Sequence, residues 1–98
     1  MDLNAATKVL REKVGSDSGL GTTLKFDCGS EGIVLINGSA VPNTVSNDDS
    51  DAVCTIALSL DTLNRLILRE LEPTTAFMMG KLKVSGDMSV AMKLQHLL

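Results

Sequence analysis

The sequence predicts one α+β domain over residues 1–98, with a five-stranded, mainly antiparallel sheet covered on one face by helices. Three observations lead to this prediction. The length of 98 residues suits a single domain. Short segments in which apolar and polar side chains alternate occupy the middle of the chain, as half-buried strands do. Segments with apolar side chains three and four residues apart lie at both ends, as amphipathic helices do.

The first helix is predicted over residues 2–14. Asp2 is a favourable N-terminal cap, and Gly15 suits the end of the helix. Its apolar side chains recur at helical spacing, at Leu3, Ala6, Leu10 and Val14.

Two strands follow, joined by the hairpin signal of residues 29–32. In the first strand the apolar side chains alternate with polar ones, at Leu24, Phe26 and Cys28. The second strand, residues 33–36, is apolar on both faces, so it is expected to pack on helices with one face and on another apolar layer or a cavity with the other.

A third short strand is predicted over residues 41–45, where Pro42 requires an edge position or a site that needs no backbone N–H donor. The acidic segment 47–51 is read as a solvated loop, since it lacks the ligand spacing of a calcium-binding loop. A fourth strand is predicted over residues 53–58. Four strands in succession form an antiparallel meander most simply.

The remaining chain alternates between helix and strand. Ser59 caps a leucine-rich helix that ends at Glu72-Pro73, and Pro73 opens a short helix that Gly80 ends. Residues 81–85 form a fifth strand, and Asp87 caps the last helix. The apolar side chains of that helix cover more than half of its circumference, so they are expected to meet the core and a further apolar surface.

Composition excludes several classes of protein. A net charge of −3, no basic cluster and only two aromatic residues make nucleic acid an unfavourable partner. No secretory signal or 20-residue apolar span is visible, and Cys28 and Cys54 are far apart in sequence, so a cytoplasmic protein with reduced thiols is expected. Contact with an anionic membrane is expected to be brief at most.

Catalytic and metal sites find little support. His96 is the single histidine, and no nucleophile motif surrounds either cysteine, so we expect no enzyme activity, no cofactor and no metal. The methionine-rich last third is open to two interpretations from the residues alone. Flexible thioethers fill irregular gaps in a core, and they equally line sites for ligands of variable shape.

The segment from Pro73 through Gly80-Lys81-Leu82-Lys83-Val84-Ser85-Gly86-Asp87-Met88 to Ala91-Met92-Lys93-Leu94 resembles the C-terminal signature of the sterol carrier protein 2 family. Residues 51–71 are similar to the segment that precedes this signature. The compact chain looks like a bacterial stand-alone member. The resemblance implies helices and a five-stranded sheet around an apolar tunnel that binds fatty acids, fatty acyl-coenzyme A, sterols or phospholipids without converting them.

Carried over by position, the resemblance implies that the ligand is bound mainly by the last third of the chain. The expected ligand-binding residues are Ile33, Leu35, Ile56, Leu66, Phe77, Met78, Met88, Met92 and Leu94. An alternative function is a protein–protein interaction module or homodimer that uses the apolar C-terminal helix.

Overall fold

The computed structural model describes residues 1–16 and 19–98, except for the side chain of His96. Helix α1 spans Leu3–Val14 and begins as predicted, because Asp2 Oδ1 accepts a hydrogen bond of 2.8 Å from the backbone N–H of Ala5. Gly15 ends the helix with a positive φ of 62°.

Five strands form one sheet in the order β3-β2-β1-β4-β5. Three of the four pairings are antiparallel, and β1 pairs with β4 in parallel. The sheet is therefore mixed but mainly antiparallel, as predicted. The strands span Thr23–Asp27 (β1), Ile33–Asn37 (β2), Thr44–Ser46 (β3), Cys54–Ala57 (β4) and Lys83–Gly86 (β5).

The predicted four-strand meander is wrong, because the chain leaves β3 at one edge and crosses the sheet to place β4 beside β1. The acidic segment 47–53 makes this crossing over the sheet face opposite the helices. Lys25 Nζ pairs with Asp49 Oδ1 at 2.9 Å, and the backbone N–H of Val53 donates to Thr23 Oγ1 at 2.9 Å. The segment is thus a covering layer as well as a connection.

Four helices complete the chain, and two of their predicted boundaries are corrected. Helix α2 ends at residue 67, before the predicted Glu72, and the predicted last helix is divided at Lys93. The third strand also begins later than expected, after Pro42. The helices span Leu60–Ile67 (α2), Pro73–Met78 (α3), Met88–Met92 (α4) and Leu94–Leu97 (α5).

One hydrophobic core lies between the helices and one face of the sheet. Side chains on alternate strand residues form the sheet side of the core, at Leu24, Phe26, Val34, Ile36, Cys54 and Ile56. Within residues 1–16 and 19–98, no helix has both the length and the apolar character that a bilayer crossing needs.

Candidate ligand-binding pocket

An apolar pocket of about 350 Å³ lies at the β5 edge of the sheet, under the last three helices. This volume is near the lower end of the ~300–1,000 Å³ that small-molecule pockets occupy. Among the described residues, Thr74 and Gln95 are the polar members of its lining. The described lining residues are Ile56, Pro73, Thr74, Phe77, Leu82, Val84, Met88, Ala91, Met92, Leu94 and Gln95.

The floor and the rim of the pocket differ in burial. Ile56 on β4 and Leu94 on α5 are almost completely buried and form the floor. Phe77 and Met88 are each 48% exposed and Met92 is 70% exposed, so the rim consists of large apolar side chains in contact with water. A ligand that covered this rim would remove apolar surface from water, which favours binding.

Local sequence features hold α4 over the sheet edge. Gly86 at the end of β5 has a φ of 93°, and a Cβ atom there would collide with the carbonyl oxygen of Val53. Asp87 then caps α4 by accepting hydrogen bonds from the hydroxyl and backbone N–H of Ser89, which lower the pKa of its carboxyl. Lys93, the residue that follows α4, donates a hydrogen bond of 3.2 Å from Nζ to the carbonyl of Leu20.

The structure brings five of the nine expected ligand-binding residues together around this pocket. They come from β4 and from α3, α4 and α5, and they are Ile56, Phe77, Met88, Met92 and Leu94. The other four lie elsewhere, and their part in binding is not supported by this pocket.

Ile33 and Leu35 are placed on the wrong side of the sheet for the pocket. Their register alternates with that of Val34 and Ile36, which face the helices, so they face the side that the 47–53 segment crosses. Met78 is not among the lining residues of the pocket and is 81% exposed. Leu66 is buried and borders a different pocket.

Six lining residues were missed by the sequence prediction, namely Pro73, Thr74, Leu82, Val84, Ala91 and Gln95. A signal for some of them was present. Leu82 and Val84 alternate with polar residues in the sequence, as the inward side chains of a strand do. Val84 is the direct partner of Ile56 across the β4–β5 pair. No pattern in the sequence indicates Thr74 and Gln95, whose side chains are hydrogen-bonded to each other and tie α3 to α5.

A second, more polar pocket of about 550 Å³ adjoins the first, because Pro73 and Gln95 line both. It lies at the end of α2, beside the segment that leads into α3. Its lining is Leu66, Arg69, Leu71, Glu72, Pro73, Gln95 and Leu98.

The two cysteines, Cys28 and Cys54, are buried free thiols. Burial raises the pKa of the Cys28 thiol to about 11, and burial together with the Asp87 carboxylate raises the pKa of Cys54. Both thiols are therefore protonated at neutral pH and poor nucleophiles. Among the residues whose placement is described, no group of three histidine, cysteine or acidic side chains could hold a metal ion. The side chain of His96 lies outside this description.

Comparison with known proteins connects this architecture to a family. Residues 3–98 match the family model described as the SCP-2 sterol transfer family. The chain belongs to the SCP-2 sterol transfer family. Sterol carrier protein 2 of Bos taurus is 45% identical to it over 60 residues, and that of Gallus gallus is 49% identical over 51 residues. These alignments cover 61% and 52% of this chain but only 10% and 9% of the two relatives, which are much longer proteins.

Solved structures of SCP-2 proteins have the same fold. The apo form of Sterol Carrier Protein 2 from Yarrowia lipolytica aligns with a TM-score of 0.71 and 21% identity, over 98% of this chain and 77% of that one. Sterol Carrier Protein 2 Like 2 from Aedes aegypti aligns with a TM-score of 0.76 and 14% identity, over 100% and 97% of the two chains. The predicted family and α+β fold are confirmed, and so is lipid carriage as the function of the SCP-2 family. The enclosed tunnel remains a prediction, since the observed pocket opens to solvent at its rim.

Proposed function

We propose that this SCP-2 domain binds one hydrophobic lipid, with an acyl chain or similar apolar body in the pocket at the β5 edge, and carries it without chemical conversion. The main support for this proposal is the pocket itself, an almost entirely apolar space of about 350 Å³ with a half-exposed apolar rim. A palmitated SCP2L2 from Aedes aegypti has the same fold, with a TM-score of 0.74 and 17% identity over 99% of this chain and 94% of that one.

Energetics support an acyl chain as the ligand. Burial of one methylene contributes about 0.8 kcal/mol, so a chain with about twelve buried methylenes gains on the order of 10 kcal/mol before ordering costs. A net value near 8 kcal/mol corresponds to about micromolar affinity. Such affinity needs no charged group in the apolar pocket.

Carriage without conversion is supported by the chemistry of the lining. Thr74 and Gln95 are hydrogen-bonded to each other, and neither is a general base or an activated nucleophile. Among the side chains that the structure describes, the pocket lining contains no cysteine and no carboxylate. We therefore propose that the domain holds its ligand and releases it unchanged.

We further propose that the ligand enters from a membrane by brief contact, in a cytoplasmic protein. The exposed apolar side chains that support this contact cluster at the rim and beside it, at Phe77, Met78, Met79, Met88 and Met92. A cluster of exposed apolar side chains favours contact with the interface of a bilayer. A homodimer through the apolar C-terminal helix stays a prediction.

Filling the pocket tests the proposal. Ala91 lines it and is partly buried, so Ala91→Trp is expected to occupy the space of the ligand and to weaken binding of a fluorescent fatty acid at least tenfold. Ala91→Leu should produce a smaller loss, which gives a graded series. Val41→Trp, at a position 73% exposed and outside the pocket, is the matched control. Unchanged affinity in a folded Ala91→Trp protein would exclude this pocket as the binding site.

A further inference from the structure

Arg69 occupies a backbone position that normally belongs to glycine. Helix α2 ends with a hydrogen bond of 2.9 Å from the N–H of Glu70 to the carbonyl of Arg65, and one of 3.2 Å from the N–H of Arg69 to the carbonyl of Leu66. These two bonds define a Schellman motif, in which the residue after the cap adopts a left-handed conformation. Arg69 does so with a φ of 59°, the single positive value of a non-glycine residue in the described chain.

Helix α3 provides an internal comparison, because it ends with the same pair of hydrogen bonds. The N–H of Lys81 donates to Ala76 at 2.9 Å, and the N–H of Gly80 donates to Phe77 at 3.0 Å. The equivalent left-handed residue there is Gly80, with a φ of 74°. The end of α2 thus retains a long cationic side chain where the backbone favours glycine.

The Arg69 side chain lines the second pocket, which adjoins the apolar pocket through Pro73 and Gln95. Within the described residues it forms no ion pair, in contrast to Arg65 one turn earlier, which pairs with Asp61 at 3.0 Å. Glu72 lines the same pocket but makes no ion pair with Arg69. The apolar pocket therefore lies next to a more polar one, which Arg69 lines without an ion pair to any described residue.

We propose that Arg69 is the head-group site of an anionic single-chain lipid, such as a fatty acid, whose acyl chain lies in the apolar pocket. This inference rests on the proposed function and adds the charge and orientation of the ligand. A guanidinium presents paired N–H donors that match the geometry of a carboxylate. Because Arg69 is exposed and Glu72 lies nearby, its contribution is a two- to fivefold gain in affinity and not an essential anchor.

Paired ligands of the same chain length test this assignment. At pH 8 and low ionic strength, Arg69→Gln is expected to weaken palmitate binding two- to fivefold and to leave hexadecanol binding unchanged. Arg69→Gly should cause the same selective loss of palmitate affinity. Glycine adopts the left-handed backbone conformation of residue 69 more easily than arginine does. Glu72→Gln should strengthen palmitate binding, since it removes a like charge. These differences should shrink in 0.5 M salt.

Arg65→Gln is the matched control, because it removes a guanidinium from the same helix outside both pockets. The inference is overturned if Arg69→Gln and Arg65→Gln change palmitate affinity equally, or if Arg69→Gln weakens both lipids alike. If both lipids bind tightly and Arg69→Gln changes neither affinity, the head-group site is overturned and the proposed carrier function stays intact. Failure of both lipids to bind the wild-type chain would overturn the two together.

Discussion

Leu94 and Met92 illustrate how neighbouring residues contribute differently to the same pocket. Leu94 is 1% exposed and belongs to the hydrophobic core as well as to the pocket floor. Met92 lines the pocket with most of its surface in water. Leu94 therefore stabilises the fold itself. Met92 contributes little to the stability of the fold, and its apolar surface is buried only when a ligand covers it.

Alanine substitutions should separate these two roles. Leu94→Ala is expected to lower the free energy of unfolding by about 2–5 kcal/mol, because it removes buried methyl groups and leaves a cavity. Met92→Ala should change it by less than about 0.5 kcal/mol, as surface substitutions do, and still weaken binding of a fluorescent fatty acid. Urea unfolding and ligand titration of both variants measure the two effects. A Met92→Ala protein with wild-type affinity would remove Met92 from the site.

At the scale of elements, the turn from β5 into α4 sets the position of the pocket rim. Gly86 combines a φ of 93° with close approach to the carbonyl of Val53, and the N–H of Asp87 donates to the same carbonyl at 3.0 Å. The helix that carries Met88 and Met92 begins directly after this turn.

Gly86→Ala is therefore expected to disturb both the backbone and the helix that follows. The substitution forces a Cβ into an unfavourable conformation and against the Val53 carbonyl, and should lower the free energy of unfolding by about 1–3 kcal/mol. Ligand affinity should fall as well, because α4 must shift. Gly19→Ala, also at positive φ but with open space around it, is the control for the backbone contribution alone. Equal destabilisation by the two would show that the contact with Val53 is unimportant.

The local features of the elements were predictable and the long-range ones were not. Asp2, Ser59 and Asp87 were each predicted as N-terminal caps, and each side chain accepts a hydrogen bond in the first turn of its helix. The parallel pairing of β1 with β4 was missed, because an antiparallel meander is the simplest arrangement of four successive strands. The alternation of side chains shows which face of a strand is buried, but it does not show which strand lies beside it. The division at Lys93 was missed because no glycine or proline marks it in the sequence.

For the pocket, too, local features could be predicted from the sequence and long-range ones could not. The resemblance placed Phe77, Met88 and Met92 at the pocket because the signature covers the segments that carry them. The resemblance could not show which face of β2 meets the helices, because residues 33–36 are apolar on both faces. Only the register of β2 with β1 shows it. The polar pair of Thr74 and Gln95 comes from segments twenty-one residues apart that only the tertiary fold brings together.

Across the whole molecule, the two ends of the sheet are covered unequally. Helix α1, of 12 residues, packs over β2 and β3, whereas α4 and α5 over the β4 and β5 edge have five and four residues. Helices this short have little stability of their own and depend on packing. The pocket lies where the cover is thinnest, so a bound lipid would supply apolar contacts that this end of the core lacks.

Methyl NMR of the five methionines tests the location of the ligand most directly. With palmitate added to protein carrying labelled methionine methyl groups, we expect large shifts for Met88 and Met92, which line the pocket. Met1, Met78 and Met79 are exposed outside it and should change little. Saturation at one palmitate per chain with this pattern would place the lipid in the pocket. Uniform small shifts, or none at Met88 and Met92, would contradict the account.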